Sequence, residues 1–247
     1  MDACNASAAA PRQGAASVEC RGVSEAVEDY AKAIYALQSR PGTDAVKTNA
    51  IAQRLAVTPA SASSMVKKLA DLGLVTHVRY RGVRLTAEGE RIALEVMRHH
   101  RLLETYLTEA LGMRWDRVHN EAEILEHHIS EELEKRIASA LNHPLRDPHG
   151  DPIPSEDLTL RNESTVCLAD LEPGQAALFT RVSDSDSALL TYLAAQHILP
   201  GTELVVEDKQ PFDGPLFVRV GERQHVLGAT LARAMRTRLL PDDSQGA

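Results

Sequence analysis

The feature that most constrains this chain is a single change in the period of its apolar residues. From Ser24 to about Leu141 they recur at helical spacing, as at Val27, Ala31, Ile34 and Tyr35; from about Val166 to Leu240 they alternate. Between the two lie Pro144, Pro148, Pro152 and Pro154, four prolines in eleven residues, which forbid a continuous helix. The expected fold is mainly α with a small β domain. Its expected divisions are a flexible tail over 1–22, a helical unit with a hairpin over 23–93, a second helical unit over 94–142, an extended linker over 143–165, a small barrel over 166–241 and a short tail over 242–247.

Composition narrows the function classes. A hydrophobic share of 43% and a charged share of 25% exclude a wholly disordered chain. No run approaches the roughly eighteen uncharged apolar residues of a membrane span. The first twenty residues lack the basic start and apolar run of a secretory signal. Cys4, Cys20 and Cys167 are far apart and form no CxxC, so neither a disulfide framework nor a thiolate zinc site is expected. A reducing cytoplasm fits that usage. The net charge of −8 argues weakly against nucleic acid, but its distribution reverses the reading. Lys47 to Arg91 holds eight Lys/Arg against three Asp/Glu, whereas His119 to Glu134 holds six acids and no Lys or Arg.

The basic stretch reads as a helix from Thr48 to about Ala56, a second from Pro59 to Leu72 stopped by Gly73, and a hairpin in LVTHVRYRGVRLT. That order is a winged helix-turn-helix, whose second helix enters the major groove of double-stranded DNA. Small polar residues at its start, Thr58, Ala60, Ser61, Ser63 and Ser64, could approach base edges, with Thr48 on the preceding helix. Lys67 and Lys68 one turn later suit phosphates, and Arg81, with Arg79 and Arg84, suits the flanking backbone. Ser and Ala are also plain surface helix formers; the agreement of turn, glycine stop, hairpin and charge favours DNA. Such small side chains predict readout by shape more than by bidentate base contacts.

The next helix opens at Thr86 and runs to Gly112, carrying His100 and Glu104; a further helix is expected over about Arg117 to Leu141. On it His119, Glu123, Glu126 and His127 fall on one face. Stacked carboxylates and imidazoles compete for protons unless a cation lies between them, and Mn, Fe, Co or Zn suits that donor set. A solvated acidic face with incidental histidines is the alternative. Clustered acids and histidines also build di-metal hydrolases, but HExxH, GxSxG and a P-loop are absent, so neither an enzyme nor an organic substrate is expected.

The segments AVEDYAKAIYAL, RHHRLLETYL, EAEILEHHISEELEKRIASAL and HPLRDPHGDPIP resemble the diphtheria toxin repressor family of metal-dependent regulators, in particular its manganese-responsive three-domain members. The resemblance covers about Ser24 to Leu240. It implies a homodimeric repressor of metal-homeostasis genes on a palindromic operator, with a winged helix-turn-helix, a helical metal-binding and dimerisation domain, and an SH3-like domain. It also implies a primary metal site of Asp29, Glu123, Glu126 and His127, and an ancillary site of His100, Glu104 and His119. In the loop RVSDSDS, Asp184 is a further candidate ligand and Asp186 a weaker one. Iron-responsive relatives have Met and Cys where this chain has Asp29 and Glu123; oxygen in place of sulfur favours Mn(II), with Fe(II) the alternative. Manganese regulators with a bridged metal pair have Glu where this chain has Lys32, so two separated sites are expected. The resemblance leaves open whether the SH3-like domain docks on the metal site, binds a proline-rich partner or tethers the linker.

Overall fold

The computed structural model describes residues 23–40, 42–161, 163–184 and 186–241. Both expected tails lie outside the described residues. The helical part comprises α1 (Glu25–Gln38), α2 (Thr48–Arg54), α3 (Pro59–Asp71), α4 (Ala87–Glu109), α5 (Val118–Leu125) and α6 (Glu131–Ala140). The hairpin β1 (Val75–Val78) and β2 (Gly82–Leu85) stands between α3 and α4, in register from Val75↔Leu85 to Val78↔Gly82. The C-terminal part has β3 (Val166–Cys167), β4 (Ala176–Val182), α7 (Ser187–Ala195), β5 (Glu203–Lys209), β6 (Leu216–Val220), β7 (Arg223–Leu227), α8 (Ala229–Ala234) and β8 (Met235–Leu239). Its antiparallel sheet has the order β3-β8-β4-β5-β6-β7.

Three buried clusters match this division. The first joins α1, α2, α3 and the hairpin around Ile34, Ile51 and Leu69. The second joins α4, α5 and α6 through Leu102, Ala122 and Ile137. The third fills the C-terminal sheet around Phe179, Leu193 and Met235. The 23-residue α4 is common to the first two, giving Ile92 and Ala93 to one and Leu102 and Leu103 to the other. It starts where the Thr86 hydroxyl accepts the Gly89 N–H, with Glu88 and Glu90 in the first turn.

In the winged unit, Thr58 caps α3 by accepting the Ser61 N–H, and Pro59 takes the first helical position. Ala62, Val66 and Leu69 turn inward, leaving Ala60, Ser61, Ser63, Ser64, Lys67 and Lys68 exposed on the opposite face. The wing is anchored at Gly82, whose φ of +122° and contact with the Val46 carbonyl leave no room for a Cβ. Asp44 pairs with Arg81 at 2.6 Å and also with Arg84.

One sequence expectation is corrected. The segment Arg117 to Leu141 is two helices, because Ser130 caps a new one: its hydroxyl accepts the Leu133 N–H, and Glu131, Glu132 and Glu134 occupy the first turn. His127 therefore sits in the turn between α5 and α6, where the chain can aim it at α1. The alternation from Val166 to Leu240 is carried by the strands β3 to β8, with α7 and α8 interposed.

Candidate metal centre

The acidic and imidazole side chains converge where α1, α4 and the α5–α6 turn meet. His127 is half-buried between two carboxylates of α1: Nδ1 lies 2.5 Å from Glu28 Oε2 and Nε2 lies 3.1 Å from Asp29 Oδ1. Glu126 Oε1 is 3.5 Å from the same Nε2. Asp29, Glu126 and His127 thus present three donors within reach of one ion. With Glu28 holding Nδ1–H, Nε2 is the nitrogen left to face the cluster, the arrangement in which a carboxylate orients a metal-binding imidazole.

A second cluster lies against α4. His100 Nε2 is 3.0 Å from Glu104 Oε1 and 3.1 Å from His119 Nδ1. Asp184, from the loop after β4, brings Oδ2 to 3.2 Å from His119 Nδ1 and 4.0 Å from His100 Nε2. Ligands standing about 2.0–2.2 Å from a single ion are themselves roughly 3–4 Å apart, so these four groups fit one. Asp186, by contrast, caps α7 by accepting the Ala188 and Leu189 N–H groups.

Glu123 does not join Asp29 and His127. It groups instead with His100 and Glu126, and the Lys32 ammonium stands among the three. Lys32 Nζ donates to both oxygens of Glu126 at 2.8 Å and to Glu123 Oε1 at 2.9 Å, and lies 3.4 Å from His100 Nδ1. The expected separation of two sites is also incomplete. The His100 ring touches both clusters, with Nδ1 2.5 Å from Glu126 Oε2 and Nε2 toward Glu104.

The electrostatics follow from this crowding. Asp29 and Glu28 beside His127 push its imidazole up to about 10. Asp184 and Glu104 do the same to His119, also to about 10. Burial raises the Asp184 carboxyl, but hydrogen bonding to His119 and the charges of His119 and His100 outweigh it and hold it at about 2. Burial likewise opposes ionisation of Glu104, and bonds from His100 and His119, with the His149 imidazole 3.4 Å away, overcome it, leaving it well below the usual carboxylate range. For Lys32, burial favours the neutral amine, and the charges of Glu126 and Glu123 reverse that and raise it.

Residues missed in the sequence support this core. Glu28 is an acid on the buried face of α1, a placement readable from its position three residues before the buried Ala31. His99 points Nδ1 at the Glu126 carbonyl and Nε2 at Glu134 Oε2, both at 3.1 Å; Arg98 also bonds Glu134. Two acceptors require two ring protons, so His99 is an imidazolium pinning the backbone of Glu126. His149 is wholly buried beside Glu104.

Three family models match the chain in succession: the iron dependent repressor N-terminal DNA binding domain over 23–83, its metal binding and dimerisation domain over 86–155, and a FeoA domain over 166–238. The iron-dependent repressor IdeR of Mycobacterium leprae is 30% identical over 224 residues, spanning 86% of this chain and 96% of its own. The diphtheria toxin repressor of Corynebacterium diphtheriae is 35% identical over 133 residues, 54% of this chain and 58% of that relative. Among solved structures, a manganese-dependent transcriptional repressor in complex with manganese superposes with a TM-score of 0.81 at 39% identity, covering 87% of this chain and all of that one. The manganese regulator SloR superposes at 0.72 with 31% identity, over 87% and 98% of the two chains. These matches, with the three-part fold and the clustered carboxylates and imidazoles, establish that the chain belongs to the iron-dependent repressor family, that of the diphtheria toxin repressor.

Proposed function

We propose that this chain is a Mn(II)-dependent transcriptional repressor that acts as a homodimer on double-stranded operator DNA in the cytoplasm. The observation that carries this reading is the split origin of the first cluster. Asp29 belongs to α1, packed in the winged unit, whereas Glu126 and His127 belong to the turn between α5 and α6. An ion held by all three ties the DNA-reading unit to the dimerisation unit.

The residue assignments follow the clusters. Asp29, Glu126 and His127 form the primary site, and Glu123 comes within its reach only when Lys32 releases it. His100, Glu104, His119 and Asp184 form the ancillary site. When bound, the metal supplies divalent charge that takes over the matching of these carboxylates. Glu28 orients the His127 ring, His99 holds the Glu126 backbone, and Lys32 neutralises Glu123 and Glu126. Oxygen at Asp29 and Glu123 favours Mn(II) over softer ions. No described helix is long and apolar enough to cross a membrane.

Exposed Ile124 and Leu133 on α5 and α6 give apolar surface for a second copy. Pairing two winged units lets two α3 helices enter successive major grooves. Thr58, Ala60, Ser61, Ser63 and Ser64 face the bases, with Thr48 behind them. Lys67, Lys68 and Arg81 meet the phosphates, Arg81 exchanging Asp44 for the DNA. The divisions 23–93, 94–142, 143–165 and 166–241 are kept as functional units, with α4 running through the first boundary. Moving such a dimer from mostly free to mostly DNA-bound requires the ion to favour the bound arrangement by roughly 5 kcal/mol.

Three outcomes test this reading. Glu126→Ala and His127→Ala, measured on a duplex selected from a random pool by the Mn(II)-loaded parent, lose about a hundredfold or more in Mn(II)-stimulated affinity while remaining dimers. Metal-stimulated binding that persists in both variants contradicts the clamp. Because His127 and His119 each hold a proton up to about 10 that an ion must displace, Mn(II) affinity falls as the pH drops. Calorimetric titrations between about pH 6.5 and 8.5 should show close to tenfold per unit for each displaced proton, and a flat profile excludes those imidazoles as ligands. Lys67→Ala weakens binding to all duplexes and reduces the salt slope by about one; an unchanged slope removes its phosphate contact.

A further inference from the structure

The turn Asp147–Asp151 sits between the long helix α4 and the C-terminal sheet, and it touches both. Asp147 Oδ1 closes the turn by accepting the His149 and Asp151 N–H groups, each at 2.9 Å. Gly150, at φ +88°, lies so close to the Thr180 carbonyl that no Cβ fits. Thr180 is the residue where the pairing of β4 with β8 slips, so a bulge presents that carbonyl to the turn. The Val182 N–H donates to the His149 carbonyl at 3.0 Å, and Arg181 reaches Asp151 Oδ1 at 2.9 Å.

The His149 side chain points the other way and is wholly buried. Its Nε2 lies 2.7 Å from the Trp115 carbonyl, which can only accept, so Nε2 carries a proton. Its Nδ1 lies 3.4 Å from Glu104 Oε2, and among the described residues neither atom has a hydrogen-bond partner. The other oxygen of Glu104 faces His100 and His119. Two residues beyond Val182, Asp184 faces His119 from the opposite side. The contacts therefore form a ring, from Glu104 to the His149 imidazole, through the His149 backbone to Val182 and Asp184, then by His119 back to Glu104.

We propose that His149 is a positioning residue that couples the ancillary metal site to the seating of the C-terminal domain, by holding Glu104 with its ring and β4 with its carbonyl. This inference rests on the ancillary site assigned above. Glu104 and Asp184 come from different domains, and both face one ion only when the turn is seated. Occupancy of the site and docking of the domain then favour each other reciprocally. Without the imidazole, Glu104 Oε2 stays buried and unpaired, and its carboxylate is free to turn away from His100 and His119.

The two ring nitrogens can be separated by substitution. His149→Gln places an amide near Nε2, keeping the Trp115 contact and losing Glu104. His149→Asn places its amide near Nδ1, keeping Glu104 and losing Trp115. Hydrogen exchange over residues 176–184 reports the seating of β4, and dialysis with elemental analysis reports bound Mn(II). In the parent, Mn(II) should slow exchange across that segment by about tenfold. In His149→Gln that slowing should vanish and the ancillary ion be lost, with the primary ion retained; His149→Asn should keep both. If both variants exchange faster by the same factor with and without Mn(II), and both keep the parent's metal content, His149 merely fills space and the inference fails. A parent that binds one ion per chain refutes the ancillary site itself, a separate result from failure of the coupling.

Discussion

A carboxylate removed from water must be matched by positive charge, and Glu126, where three elements meet, bears that requirement. Its side chain is fully buried, and leaving an ion of that kind unmatched costs several kcal/mol. The chain surrounds it with the Lys32 ammonium on one side and the His100 and His127 imidazoles on the others. These cations come from α1, α4 and the turn after α5, so charge matching at one carboxylate draws three elements together. Metal binding uses the same geometry. Asp29, Glu126 and His127 would hold a divalent ion where two units of the chain meet, and its charge would there take the place of the imidazole proton.

Lys32 gives this cluster a character of its own. An ammonium on the oxygens of Glu126 and Glu123 stabilises the assembled cluster, and it keeps Glu123 from joining Asp29 and His127. The arrangement differs from a pair of independent sites, because His100 contacts Glu126 with one nitrogen and Glu104 with the other. A change at either cluster is therefore felt by the same ring. The C-terminal domain is drawn into this network of carboxylates and imidazoles by Asp184 and by the turn around His149.

Local signals carried much of this structure, and long-range ones did not. Pro59 after Thr58 and Gly73 after Leu72 marked α3 because capping and chain reversal depend on adjacent residues. Alternation marked β4, β5, β6 and β8 for the same reason. Helical periodicity continues through the break between α5 and α6 and masks it, although Ser130 followed by three acids within four residues is a helix start. At the site, spacing on one helix face placed Glu126 and His127 together, but Glu123 was diverted by a lysine 91 residues earlier in the chain. Glu28 and His149 act through partners 99 and 45 residues away respectively, contacts that no local pattern encodes. The resemblance ranked Asp184 above Asp186 as a ligand, and the fold gives the physical reason: Asp184 faces His119, whereas Asp186 caps α7.

If a divalent ion joins the DNA-reading unit to the dimer core, DNA affinity must depend on that ion. The most direct measurement is the affinity of the full-length protein for its selected duplex as free Mn(II) is raised from an exhaustively chelated start. Binding should be weak and sequence-indifferent without the ion and should rise steeply as the clusters fill. Equal, sequence-selective affinity after complete chelation would contradict that dependence.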